Sequence, residues 1–138
     1  MIIARIVGGL GNQMFQYAAA RRLAFINNTK LKLDIAGYQN SALRQFKLNN
    51  FNIQSDIASS EETAFFRRYQ KKDLSAKILN FSQKLIPFKY RMFIKETSLD
   101  FDSRILQLSG NATYRAIGKA RNILKTSKGL SVKILPPK

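Results

Sequence analysis

The stretch Gly8-Gly9-Leu10-Gly11-Asn12-Gln13-Met14-Phe15-Gln16-Tyr17-Ala18 concentrates the residue types that could do chemistry in this chain. Glycines let a backbone turn sharply and let a ligand approach it closely. If a helix begins here, its first N–H groups are free to attract a phosphate or another anion. Asn12 and Gln13 add neutral donors and acceptors without adding charge. The chemistry on offer is therefore recognition of an anionic group, not proton transfer. The chain of 138 residues has no histidine and no cysteine. The commonest general base and metal ligand is missing, and so are disulfides and thiolate sites. Acid–base work would fall to the 8 Asp and Glu, to Lys or Tyr, or to residues outside this chain.

Two plainer readings of the stretch exist. Three glycines can simply make a tight turn between a strand and a helix. The spacing also partly matches a dinucleotide fingerprint, G-x-G-x-x-G. Gly9 and Gly11 fit its first two positions, and Asp34 lies where the ribose-binding acid would stand, but the last position is Met14.

Recognition of this kind needs elements to hold it in place. Ile2–Val7 is a β-prone run ended by Gly8-Gly9. Asn12 to about Asn27 repeats its apolar residues at helical spacing, around the strong formers Ala18-Ala19-Ala20. Leu31 to Ile35 alternates as a second strand, closed by Gly37. Strand, turn, helix and strand make a βαβ unit, which argues for an α/β fold with a parallel sheet. In such a sheet the turn after the first strand is where the binding crevice opens.

Further along, residues 42–53 read as a loop carrying a short strand. Ser59 and Glu62 form a capping box before a helix to about Lys72. Asp73 to Leu85 is a second helical pattern, with Leu74, Ile78, Phe81 and Leu85 on one face and Pro87 to stop it. Tyr90–Glu96 is β-prone. Asp100-Phe101-Asp102 reads as a turn, and Ser109-Gly110-Asn111 as another between short strands at Ile105-Leu106 and Ala112–Tyr114.

Composition is globular, 45% hydrophobic with Phe 10 and Tyr 5, and the length suits one small domain. No apolar run approaches the roughly 18–20 residues that cross a bilayer. The apolar start lacks the basic region of a signal peptide, so the expected location is the cytoplasm. Net charge is +16. Residues 115–138 hold seven of the basic residues and no acid, and all Phe, Tyr, Asp and Glu lie at or before 114. Such an excess suits a nucleotide sugar, an anionic membrane face or nucleic acid.

The string Gly8 to Ala18 closely resembles the opening of the bacterial α-1,2-fucosyltransferase family, which follows a short Ile/Val strand with GGLGNQMFQYA. The resemblance continues through Lys30-Leu31-Lys32-Leu33-Asp34 and the acidic-aromatic segment from Glu96 to Tyr114, and so covers residues 1–114. It implies a Rossmann-like N-terminal lobe of a GT-B-like glycosyltransferase that moves fucose from GDP-fucose to a galactoside 2-hydroxyl with inversion. The implied partners are a nucleotide-sugar donor and a galactoside acceptor, with no metal or other cofactor and no nucleic acid. By similarity, Gly9, Gly11, Asn12 and Gln13 line the cleft between two lobes. No catalytic base is assigned.

The family's donor site lies in its second half, in a His-x-Arg-Arg-Gly-Asp-Tyr string that this chain lacks. The lobe is expected to be incomplete and inactive alone. The expected division is a partial transferase lobe, 1–114, and a basic tail, 115–138, that is frameshift-derived and poorly ordered. The family typically continues with Tyr-Trp-Gln-Ser-Glu-Lys-Tyr-Phe. Permitted codons for Ala116–Leu124, read from the last base of the first codon, encode that string in full. The gene's nucleotides beyond the Tyr114 codon check it. The alternative function is a basic module that contacts nucleic acid or an anionic membrane, and peripheral contact with the inner membrane face goes with either reading. Against nucleic acid, the aromatics are not interleaved with the basic tail as stacking platforms require.

Overall fold

The computed structural model describes residues 1–39, 41–69, 71, 73–95, 103–108 and 112–115. It opens with the expected unit. Strand β1 (Ile2–Arg5) leads into helix α1 (Leu10–Ile26), which returns to strand β2 (Leu31–Asp34). β1 and β2 are parallel, with Ile2 opposite Leu31 and Arg5 opposite Asp34. A two-residue strand β3 (Asp56–Ile57) extends the sheet beyond β2. Helices α2 (Ser60–Arg68) and α3 (Leu74–Leu85) follow, then strands β4 (Phe93–Lys95) and β5 (Ala112–Arg115). The strand order is β3-β2-β1-β5-β4, and every pairing is parallel.

Helix α1 packs on the sheet through small side chains. Ala19, Ala20, Leu23 and Ala24 are buried against Ile2, Ala4, Ile6, Leu31 and Leu33. Alanines let the helix backbone approach the strands closely, so this short sheet still acquires a dense core. Tyr17 is buried too, and its hydroxyl accepts from the Gln54 N–H at 2.9 Å. Leu48, Ile94, Ile105 and Leu108 close the cluster from later in the chain.

Several expected boundaries move, each for a local reason. α1 starts at Leu10, two residues before Asn12, because Gly9 is extended (φ −77°, ψ 174°) and serves as the N-cap. Gly11 therefore lies inside the first turn. Within 42–53 there is a 3-10 turn at Leu48–Asn50, which drops Leu48 into the core; the strand comes later, as β3. α2 ends at Arg68, where the chain leaves the helix and the buried Tyr69 ring stacks on Phe93 at 5.0 Å. Residues 103–107 form a 3-10 helix, not a strand. Its three-residue period puts Ile105 and Leu108 on the same buried side. β5 runs to Arg115, one residue past Tyr114, and the tail that the expected division would separate lies outside the described residues. The Asp100–Asp102 turn, the Ser109–Asn111 turn and the tail from residue 116 lie outside the described residues.

Candidate functional site

The chain moves from β1 to β2 in one direction across the sheet, while β5 lies on the other side of β1. The carboxyl end of β1 is therefore a topological switch point, where adjacent connections diverge and leave a crevice. The Gly8–Gly11 turn stands there. Gly8 is the one glycine described with positive φ, +88°. A Cβ at this position would come within 2.7 Å of Asn12 Nδ2 and 3.2 Å of Asn12 Cβ. Gly8 thus serves the backbone. Gly9 and Gly11 differ: a Cβ on either would meet no atom of the described residues within 4 Å. Both are exposed and face open space.

The start of α1 is electrostatically unopposed. No side chain among the described residues caps it, and its first turn holds no acidic residue. The first bond back into the turn runs from Gln13 N to Gly9 O at 3.0 Å. The preceding helical N–H groups of Leu10, Gly11 and Asn12 have no intrahelical acceptor, as in any helix start. Asn12 is half-buried beside Gly8, and its side-chain amide has no partner among the described residues. The turn thus presents positive dipole, free donors and two bare glycine faces together.

Gln13 does not join them. It is 0% exposed, and its amide is consumed inside the protein. Nε2 donates to Gly8 O at 3.0 Å and to Gln45 O at 2.8 Å, while Oε1 accepts from Lys47 N at 2.9 Å. The expected cleft residue is a brace that ties the 45–47 loop to the turn. Its polar type suggested a ligand contact; burial against three backbone groups assigns it to architecture.

Two further residues support the turn. The Tyr38 hydroxyl donates to Gly8 O at 2.8 Å, so that carbonyl accepts from both Tyr38 and Gln13. Burial raises the Tyr38 pKa; the neighbouring Gln13 amide and the Arg44 charge pull it the other way. Gln16 is 2% exposed, and its Oε1 accepts from Val7 N at 2.8 Å. Its Nε2 is buried without a partner among the described residues. Ile6 N is spent on Asp34 O, toward β2, so strand alternation turns the Val7 N–H and the Gln16 amide toward the opposite edge of β1. Gln16 belongs to the same motif string as Asn12, and that membership was the available signal.

Asp34 is 5% exposed, and its Oδ1 accepts from Ala36 N at 3.1 Å. A carboxylate folded onto its own backbone is unlike one held out to a ribose. No group of three or more His, Cys, Asp or Glu among the described residues is placed to hold a metal. A cavity of about 440 Å³ lined by Arg21, Lys30, Gln54 and Asp56 opens where β2 begins, at the opposite end of the strands from the turn. The unpaired donors and the switch point coincide at the turn, not at this cavity.

Over 71 residues, half of its length, the chain is 41% identical to the α-1,2-colitosyltransferase of Escherichia coli. The matched region spans 24% of that enzyme. No family model matches the chain, and neither does any solved structure. The chain is therefore related in part to a glycosyltransferase.

Proposed function

We propose that this chain is part of an α-1,2-glycosyltransferase in which the β1–α1 turn contacts a nucleotide-sugar donor or its acceptor. The observation that carries the reading is the pair of bare glycine faces at an uncapped helix start, beside the free amide of Asn12. Backbone N–H groups there can hydrogen-bond phosphate oxygens, and the helix dipole favours the negative charge. The similarity to a glycosyltransferase supplies the reaction class; that relative's name carries the same α-1,2 linkage as the fucosyltransferase motif.

The finer reading keeps GDP-fucose as donor and a galactoside as acceptor, in a Rossmann-like lobe of a GT-B-like enzyme. Departing GDP needs concentrated positive charge, and the acceptor hydroxyl needs a base. The turn offers neutral donors and a dipole but neither of those, so the second lobe is proposed to supply them, and this chain is proposed not to turn over alone.

The test uses the full-length enzyme form that carries this turn, assayed with GDP-fucose and with nucleotide-activated colitose. Asn12→Ala should lower transfer about tenfold to a hundredfold, as expected for a lost hydrogen bond to a charged group, and leave the melting temperature unchanged. Undiminished transfer would return Asn12 to a purely structural role. A preference for colitose would retain the reaction class and replace the sugar.

A further inference from the structure

Helix α3 is inside out. Its buried positions are Ala76 and Gln83, and Asn80 beside them donates to Tyr69 O at 3.0 Å and Ala76 O at 2.7 Å. Gln83 Oε1 accepts from Met92 N at 3.1 Å. Small and amide side chains thus face the protein. Leu74, Ile78, Phe81 and Leu85 face away, at 71, 61, 63 and 75% exposure. At about 100° per residue these four fall within an arc of about 60°, opposite Ala76 and Gln83. The helix is well built for its place. Asp73 caps its start, accepting from Ala76 N at 2.8 Å, and Arg91 caps its end, donating to Ile86 O and Lys84 O. An ordered, capped helix with a continuous apolar outer stripe implies something that covers it.

Charge identifies the cover. Lys77 and Lys84 are exposed along one flank of the stripe. From Leu74 to Lys95 the chain carries Lys77, Lys84, Lys89, Arg91 and Lys95 and no acid. Just after Pro87 stands an exposed Tyr90, with Lys89 Nζ 5.7 Å from its ring centre. A second copy is a poor cover, since it would bring the same lysines against these and a net charge of +16 against its equal. At 12 residues α3 is too short to cross a bilayer, and no helix among the described residues is long and apolar enough to do so. Apolar stripe, basic flank and interfacial tyrosine together describe a helix that lies in a membrane surface. We infer that α3 docks this protein on an anionic lipid surface, with Leu74, Ile78, Phe81 and Leu85 in the acyl boundary and Lys77 and Lys84 at the headgroups. The inference is independent of the proposed transferase activity.

Flotation of the full chain with vesicles tests it. The chain should float with phosphatidylcholine containing about one-third phosphatidylglycerol, and much less with phosphatidylcholine alone. Ile78→Ser with Phe81→Ser keeps every charge and should lower the partition coefficient at least about tenfold. Lys77→Gln with Lys84→Gln should lower it about thirtyfold at low salt. All four positions are exposed, so circular dichroism should be unaltered; Ile78→Ala with Phe81→Ala, which favours helix more, replaces the serine pair if the helix weakens. Failure to float with anionic vesicles would overturn the inference. So would flotation of the Ile78/Phe81 variants at the wild-type level, which would assign binding to basic residues elsewhere, including 115–138. A dimer in sedimentation equilibrium that the same variants abolish would assign the stripe to a second copy.

Discussion

Glycine has two separable uses in one short turn. Gly8 occupies a backbone conformation that a side chain strains, with Asn12 pressed against it. Gly8→Ala should therefore cost about 1–3 kcal/mol of stability, read as a lowered denaturation midpoint, and should displace the Asn12 amide. Gly11 lies in a helix with open space around it. Gly11→Ala should stabilise the fold by up to about 1 kcal/mol through helix propensity. If the open face receives a ligand, the same substitution should also reduce donor binding or transfer. A more stable protein with undiminished transfer would show that the space is only solvent. Tyr38 is a third case. Burial raises its pKa above the ordinary 10.0, so its contribution is complete below pH 10 and is lost as pH rises through the raised value. Tyr38→Phe should lower stability by about 1 kcal/mol near neutrality and remove that alkaline loss, measured by melts across pH 9–12.

At the scale of elements, α2 offers the clearest test. Its capping box is reciprocal: Ser59 N donates to Glu62 Oε2 at 2.9 Å, and Glu62 N to Ser59 Oγ at 3.3 Å. Glu62 also accepts from Lys32 Nζ at 2.6 Å, which ties α2 to β2. The Lys32 bond first, then the Ser59 N–H, hold the Glu62 carboxyl below its ordinary value of 4.5. That stabilisation is present above pH 4.5 and is lost as pH falls through the lowered value. Glu62→Gln should flatten this acid limb of the melting curve, and Ser59→Ala should cost about 1 kcal/mol at neutral pH. An unaltered acid limb in the glutamine variant would place the acid sensitivity elsewhere.

The box was legible in the sequence because its partners are three residues apart, and the β1–α1–β2 order was legible for the same local reason. What periodicity could not supply was direction. Leu74, Ile78, Phe81 and Leu85 visibly share a face, but whether that face meets the core depends on what Ala76 and Gln83 touch at distant positions. Gln13 hid in the same way: its three bonds reach Gly8, Gln45 and Lys47, and nothing near it in the chain announces the last two. In the candidate site, then, the place of the turn after β1 was legible in advance, the Tyr38 support was not, and Gln16 had only its membership of the motif string to mark it.

For the molecule as a whole, the sheet order carries a consequence in time. β5 is the last strand described, yet it sits between β1 and β4, and Ile2 pairs beside Ala112. During synthesis the first 57 residues can assemble β1, α1, β2 and β3 as soon as they leave the ribosome. β4 emerges next but has no strand to join, since its partner is β5. One edge of β1 stays open throughout, and an open edge is a template for wrong pairing. The nascent chain therefore passes through an interval of vulnerability that ends only when residues 112–115 arrive and insert. Pulse-labelled hydrogen exchange during refolding should show α1 and the β1–β2 bonds protected early, with the β1–β5 and β4–β5 amides following together in a slower phase. Simultaneous protection of all five strands would mean that β5 is recruited into the first nucleus, and that this interval does not exist.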